Sequence, residues 1–159
     1  VNKADWFLLG GGPANTFFVA KDLPIGDSVY DKNALPWVKK MLMNEKIILP
    51  NDFNWKDNKI LDIGPKTLET WGEIINRSKT IIWNGPPGLF EKKEFSTGSF
   101  ALARAIAKSR AYSLVGGGET TTIIQKLKLT KKIGFVSTGG GAMLEYLSGK
   151  SLPGLKALK

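Results

Sequence analysis

The chain contains no cysteine and no histidine, and these two absences remove more chemistry than any other feature of its composition. Without cysteine there are no disulfides, thiolate nucleophiles or thiolate metal sites, and a reducing compartment is compatible. Without histidine the commonest general base and metal ligand are gone, along with every Ser-His-Asp or Cys-His scheme. Chemistry must then rely on positioning and charge, with a hard metal ion left open. Long apolar runs are missing too: none approaches the ~20 residues that a membrane span needs, and the N-terminus lacks the charged-then-apolar pattern of a signal peptide. The expectation is a soluble, cytoplasmic protein without a membrane partner.

At 159 residues, 42% of them hydrophobic, the chain is long enough for one well-packed domain. Its formal charge of +9 attracts anions in general, leaving nucleic acid, anionic membrane and phosphorylated small molecules all open on that count alone. Distribution narrows this. The lysines are scattered as Lys39-Lys40, Lys92-Lys93, Lys126, Lys128 and Lys131-Lys132, with no arginine-rich arm and no aromatic stacking motif. Such patches solvate a face, so nucleic-acid binding is not expected.

The chain repeats one local grammar, an apolar run followed by a glycine-rich turn. Phe7-Leu8-Leu9 precedes Gly10-Gly11-Gly12, Ile81-Ile82-Trp83 precedes Asn84-Gly85-Pro86-Pro87-Gly88, Ser113-Leu114-Val115 precedes Gly116-Gly117-Gly118, and Phe135-Val136 precedes Ser137-Thr138-Gly139-Gly140-Gly141. The runs read as parallel strands and the segments between them as helices, at 13–21, 33–43, 99–108, 120–126 and 142–147. A further helix has Thr67 as its N-cap and Leu68, Trp71, Ile74 and Ile75 as its apolar face. Lys46 to Leu49 and Lys132 to Val136 read as strands, whereas Phe53 to Lys59 has no usable period. About five strands alternating with helices predict a three-layer αβα fold, Rossmann-like, with a mainly parallel sheet and all four turns on its carboxyl edge, where ligands bind. The triplets differ in their flanks, which argues convergent turn chemistry rather than a solenoid.

The third turn is the strongest site candidate. Glycines allow close backbone approach, and Glu119 with Thr120 opens a helix whose free N–H groups favour anions. Glu119 either opposes the helix dipole or holds Mg²⁺, Thr120 is a cap or a phosphate ligand, and Glu91 is a solvated charge or a ribose acceptor; spacing does not choose. Asp52 is a turn former or a site residue. Known phosphate fingerprints fail: Gly149-Lys150-Ser151 has Leu144 where a Walker loop needs its first glycine, and Asn15, Thr121 and Leu144 stand where each triplet would complete G-x-G-x-x-G.

Trp83-Asn84-Gly85-Pro86-Pro87-Gly88-Leu89-Phe90-Glu91, Gly116-Gly117-Gly118-Glu119-Thr120 and Ser137-Thr138-Gly139-Gly140-Gly141-Ala142, in this order and spacing, resemble phosphoglycerate kinase. Gly10-Gly11-Gly12 with Ala14-Asn15-Thr16-Phe17, Asp62-Ile63-Gly64-Pro65 and Leu152-Pro153-Gly154-Leu155 extend the resemblance over essentially the whole chain.

That family has two lobes, and residues 1–159 resemble most of its C-terminal, nucleotide-binding lobe. The acceptor lobe, and the first strand and phosphate-reaching lysines of the nucleotide lobe, have no counterpart here. Val1 in place of methionine fits a piece of a chain near 400 residues, about two to three domains' worth.

The resemblance implies reversible phosphoryl transfer between 1,3-bisphosphoglycerate and ADP, giving 3-phosphoglycerate and ATP with Mg²⁺ in glycolysis, by a full-length monomer. It places Gly11 and Gly12 at the adenine, Asn84 and Pro86 beside the nucleotide, Glu91 at its ribose, Glu119 at the metal and Thr120 at a phosphate. Gly116, Gly117 and Gly118 with Gly139, Gly140 and Gly141 would present N–H groups to the transferring phosphoryl and the acceptor side. The phosphoglycerate would come through the missing lobe, so the chain alone should not turn over.

Departures from the family pattern are Glu119 for the usual aspartate, and Pro13 and Pro87 for methionine or another apolar residue. One extra methylene moves a metal by about 1 Å, enough in principle to cost ~10²-fold in rate. The alternatives are a non-catalytic nucleotide-binding or regulatory domain derived from that kinase, and a dehydrogenase-type domain that takes NAD.

Overall fold

The computed structural model of the chain describes residues 3–157. Its backbone forms two compact units, Val1–Ile74 with Pro86–Leu102, and Ile75–Gly85 with Ala103–Lys159.

In the first unit strand β1 (Phe7–Leu8) pairs in parallel with β2 (Ile47–Ile48), Phe7 opposite Ile47. Helix α1 (Gly11–Ala20) follows β1 and is apolar nearly all round, as a helix buried on several sides must be. Ala14 and Phe18 meet Ile25 in one core cluster, while Phe17 and Ala20 meet Val38 in another. Its buried polar residues work as stitches: the Asn15 side chain donates to the Val29 carbonyl (2.9 Å), and the Thr16 hydroxyl accepts from the Asp31 N–H (3.0 Å).

Helix α2 (Leu35–Lys39) is much shorter than the expected 33–43. Only Val38 of it is buried, and beyond it the chain tightens into i→i+3 bonds, Lys40 N–H to Trp37 and Met41 N–H to Val38.

The stretch without a readable period is an antiparallel hairpin of β3 (Phe53–Lys56) and β4 (Lys59–Ile63). Asp57 and Asn58, at φ of 50° and 59°, form its two-residue turn, the left-handed pair that matches strand twist. Helix α3 (Pro65–Arg77) starts two residues before the expected cap Thr67, with Pro65 supplying a preset φ at its first position. The Asp52 carboxylate is the cap, accepting from Lys66 N–H (2.9 Å), Thr67 N–H (2.8 Å) and the Thr67 hydroxyl (2.7 Å).

In the second unit β5 (Thr80–Asn84), β6 (Tyr112–Gly116) and β7 (Phe135–Ser137) form a parallel sheet in that order, with Trp83 opposite Val115 and Val115 opposite Val136. Parallel neighbours need crossover connections, which here contain α4 (Thr97–Lys108) and α5 (Gly118–Lys126). The core holds Trp83, Ala103, Ile106, Val115, Ile123 and Ile124. Helices α6 (Gly140–Leu147) and α7 (Pro153–Lys156) complete the chain.

The class is therefore α/β with parallel sheets and helices, with two further corrections to what the sequence suggested. Pairing is divided among β1–β2, the hairpin and β5–β6–β7, so three glycine turns follow strands of one parallel sheet and Gly10–Gly12 follows β1. And Lys132 belongs to a turn, its N–H bonded to the Leu129 carbonyl at 2.8 Å, which delays β7 to Phe135.

Candidate functional site

In the second unit, register brings the three turns out side by side, because Asn84, Gly116 and Ser137 are successive partners at the carboxyl ends of β5, β6 and β7. Gly117 then turns the chain into α5 at φ 94° and ψ 144°, a region that only glycine occupies without strain. Gly118, Gly140 and Gly141 do not precede helices, as the sequence suggested, but form their first turns. No side chain caps either helix start, so the first-turn N–H groups of both keep their affinity for an anion.

The two triplets touch through backbone. A Cβ on Gly140 would stand 2.5 Å from Gly117 Cα and 2.6 Å from its nitrogen. Asn84 is set into this contact: its Nδ2 donates to the Gly140 carbonyl at 3.1 Å, and its Oδ1 lies 2.9 Å from where a Gly117 Cβ would be. Thr120 is completely buried, its hydroxyl accepting from Gly85 N–H at 2.8 Å, while Trp83 Nε1 donates to the Gly85 carbonyl at 2.9 Å. Both polar groups of Gly85 are thus fixed. Around this rigid base Gly118 and Gly141 border open space, and Glu119 is exposed in the first turn of α5.

The first unit holds the remaining residues singled out in the sequence. Gly10 packs so tightly on Pro87 that a Cβ would come within 2.6 Å of the proline Cβ, and one on Gly11 would lie 3.7 Å from the Pro86 carbonyl oxygen. The β1–α1 turn and the Pro86-Pro87 turn are therefore in contact, with Gly11 at φ 54° between them. Beside Gly12 and Pro13 opens a cavity of about 560 Å³ with mainly apolar walls, including Phe7, Val29 and Trp37, a size that suits a small organic ligand. Glu91 is exposed farther along the proline-containing loop.

Two aspartates matter more than their sequence context suggested. Burial alone would raise the Asp52 carboxyl, but the Thr67 hydroxyl, the Lys66 and Thr67 N–H groups and the Lys66 charge together hold it below the usual carboxylate range. Asp52 is thus occupied in capping α3. Asp62, fully buried on β4, accepts from Ile63 N–H (2.9 Å) and Gly98 N–H (2.8 Å), and burial outweighs both bonds to push its carboxyl up to about 6.

Among the described residues no three His, Cys, Asp or Glu side chains gather as a metal cluster. The donor set nevertheless fits Mg²⁺, which is commonly held by one or two carboxylates together with phosphate oxygens and water. Glu119, solvent-facing at the head of α5, can supply that carboxylate. No helix among the described residues is long and apolar enough to cross a membrane.

Parallel strands that end in glycine turns opening helices define a Rossmann-like α/β protein. The phosphoglycerate kinase family model matches residues 1–150. A phosphoglycerate kinase of Maridesulfovibrio salexigens is 38% identical over an alignment of 182 residues, covering 100% of this chain and 46% of that protein. The solved phosphoglycerate kinase from Coxiella burnetii superposes with a TM-score of 0.89 at 38% identity, covering 98% of this chain and 46% of its own. For the Pyrococcus horikoshii OT3 enzyme the TM-score is 0.85 at 33% identity, with 99% and 45% covered. The chain belongs to the phosphoglycerate kinase family. It spans under half the length of these relatives.

Proposed function

We propose that residues 1–159 are the nucleotide-binding, C-terminal lobe of a phosphoglycerate kinase, which binds ADP or ATP with Mg²⁺ in reversible transfer of a phosphoryl group from 1,3-bisphosphoglycerate to ADP. The observation that carries the reading is the backbone contact of Gly117 with Gly140, locked by Asn84 beneath two uncapped helix starts. Phosphoryl transfer needs charge stabilisation and alignment more than acid–base groups, and a chain without histidine or cysteine can supply both.

In the second unit the N–H groups of Gly116 to Gly118 and Gly139 to Gly141 take the transferring phosphoryl and the acceptor side. Thr120 offers its backbone N–H, since its buried hydroxyl already holds Gly85, and so keeps Asn84 in place beside the nucleotide. Glu119 holds Mg²⁺, which neutralises phosphate charge when bound. In the first unit Gly11 and Gly12 receive the adenine, Pro86 borders the nucleotide, and Glu91 accepts from the ribose hydroxyls. The phosphoglycerate is held by the part of the enzyme outside these residues, so the 159-residue chain binds nucleotide without turning over.

Calorimetric titration of the chain with ADP, with and without Mg²⁺ and beside NAD, tests this. Magnesium-dependent ADP binding without NAD binding is expected. A folded chain that ignores ADP would sink the nucleotide assignment, and phosphoryl transfer by the chain alone would sink its assignment as half of an enzyme.

A further inference from the structure

Asp62 is the most completely enclosed ionisable group of the first unit, at 0% exposure, opposite Asn54 of β3. A carboxylate removed from water needs donors on its oxygens, and Asp62 takes one on each: Ile63 N–H on Oδ1 and Gly98 N–H on Oδ2. Gly98 is the second residue of α4, so the carboxylate caps that helix from a site 36 residues away in sequence.

The same carboxylate is met by a second segment. A Cβ on Gly88 would lie 2.6 Å from Asp62 Cγ, and one on Gly98 would lie 2.9 Å from it. Gly88 and Gly98 stand near the two ends of segment 86–98. Next to them the Leu89 N–H bonds the Leu61 carbonyl at 2.8 Å. Between these anchors the loop is closed on itself, Lys92 N–H to Leu89 (3.1 Å) and Phe95 N–H to Lys92 (2.9 Å), with Phe90 and Phe95 buried. Glu91 therefore projects from a stiff arc whose two ends rest on one carboxylate.

We propose that Asp62 is a positioning residue: by clasping Gly98 and seating Gly88 it sets where Pro86 and Glu91 stand for a bound nucleotide. The proposal rests on the reading of Glu91 as the ribose acceptor. A purely structural cap at α4 needs only one acceptor and is served by serine or asparagine. A carboxylate held here despite burial, with no charged side chain among the causes that set its proton affinity, answers the need for an acceptor toward both N–H groups. Asparagine at 62 would turn its NH₂ against one of them.

The test compares wild type, D62N, E91Q and the double variant of the 159-residue chain. In D62N, amide exchange across residues 88–98 should accelerate by about tenfold or more, while β5–β6–β7 amides keep their rates. Wild type should prefer ADP over 2′-deoxy-ADP by about tenfold, the scale of one hydrogen bond to a charged group. D62N and E91Q should each bring that ratio near one, and the double variant should lose nothing more. Full protection of 88–98 in D62N with the ribose preference intact overturns the proposal.

If wild type itself shows no ribose preference while binding Mg-ADP, the Glu91 reading fails and the ribose part of this proposal with it; exchange then decides the clasp alone. Should D62N not fold, wild type supplies the answer: the Gly98 amide proton shift should titrate with a midpoint near 6. A shift that stays flat from about pH 2 to 8, across the whole range in which a carboxyl titrates, refutes the contact.

Discussion

Gly140 and Gly141 are adjacent, chemically identical and both in the first turn of α6, yet alanine should have opposite effects at the two. At Gly140 the added methyl would meet Gly117 Cα at 2.5 Å and Gly117 nitrogen at 2.6 Å. Carbon atoms rest at 3.5–4.0 Å, so one turn must retreat by about 1 Å. These are backbone atoms without a rotamer to change, and Gly117 already sits at φ 94°, where the chain turns into α5. Overpacking of this kind costs about 1–3 kcal/mol. Retreat also pulls the Gly140 carbonyl from Asn84 Nδ2, now at 3.1 Å, adding ~1 kcal/mol.

At Gly141 nothing lies within 4 Å of the new methyl, and replacing glycine by alanine in a helix stabilises by up to ~1 kcal/mol. Urea denaturation followed by near-ultraviolet circular dichroism should therefore place Gly140→Ala about 2–4 kcal/mol below wild type and Gly141→Ala at or slightly above it. Two substitutions with the same sign, or within about 0.5 kcal/mol of each other, would refute the backbone contact between the triplets.

Asp52→Ala removes the cap of α3 and should lower stability by about 1–2 kcal/mol, with faster exchange at the Lys66 and Thr67 amides; an unchanged midpoint would show that the three bonds contribute nothing. The two aspartates should also give opposite pH dependences. Asp52, held below the usual aspartate value of 3.8, contributes stability that is present above that value and is lost as pH falls through its folded value. Asp62, raised from 3.8 to about 6, favours the folded state most when protonated, so its contribution declines as pH rises between those values. At about 1.4 kcal/mol per tenfold in proton affinity the decline reaches up to ~3 kcal/mol. Urea midpoints collected from pH 3 to 8 should show this decline in wild type and not in Asp62→Asn; identical profiles would place Asp62 in contact with water.

What the sequence disclosed and what it hid follow a physical division. Strands β5, β6 and β7 announced themselves because each is an apolar run closed by glycines, and those glycines proved to be close-contact positions in Gly117 and Gly140. The hairpin was hidden because the alternation of Phe53–Lys56 lasts only four residues and Lys59–Ile63 breaks its own at Ile60-Leu61; the Asp57-Asn58 pair was the available signal. Asp52 and Asp62 were hidden for another reason. The helix starts they reach lie 14 to 36 residues away, and local spacing cannot show which helix start a carboxylate will reach. The short α2 and the early start of α3 are errors of the same origin, since tertiary contacts at Val38 and Asp52 decide the boundaries.

The charge of the second unit bears on how a metal would be held under the proposed function. Within 75–85 and 103–159 the acidic side chains are Glu119 and Glu145, and every other charged side chain is lysine or arginine. One carboxylate in a positive surround gives a bare divalent cation little reason to bind. Two uncapped helix starts and a positive field attract phosphate in its place, and phosphate brings Mg²⁺ with it, leaving Glu119 to complete a coordination shell rather than to build one. The lone carboxylate that looks too little for a metal site is thus what the reading requires: the nucleotide carries the ion, and the chain's backbone carries the nucleotide.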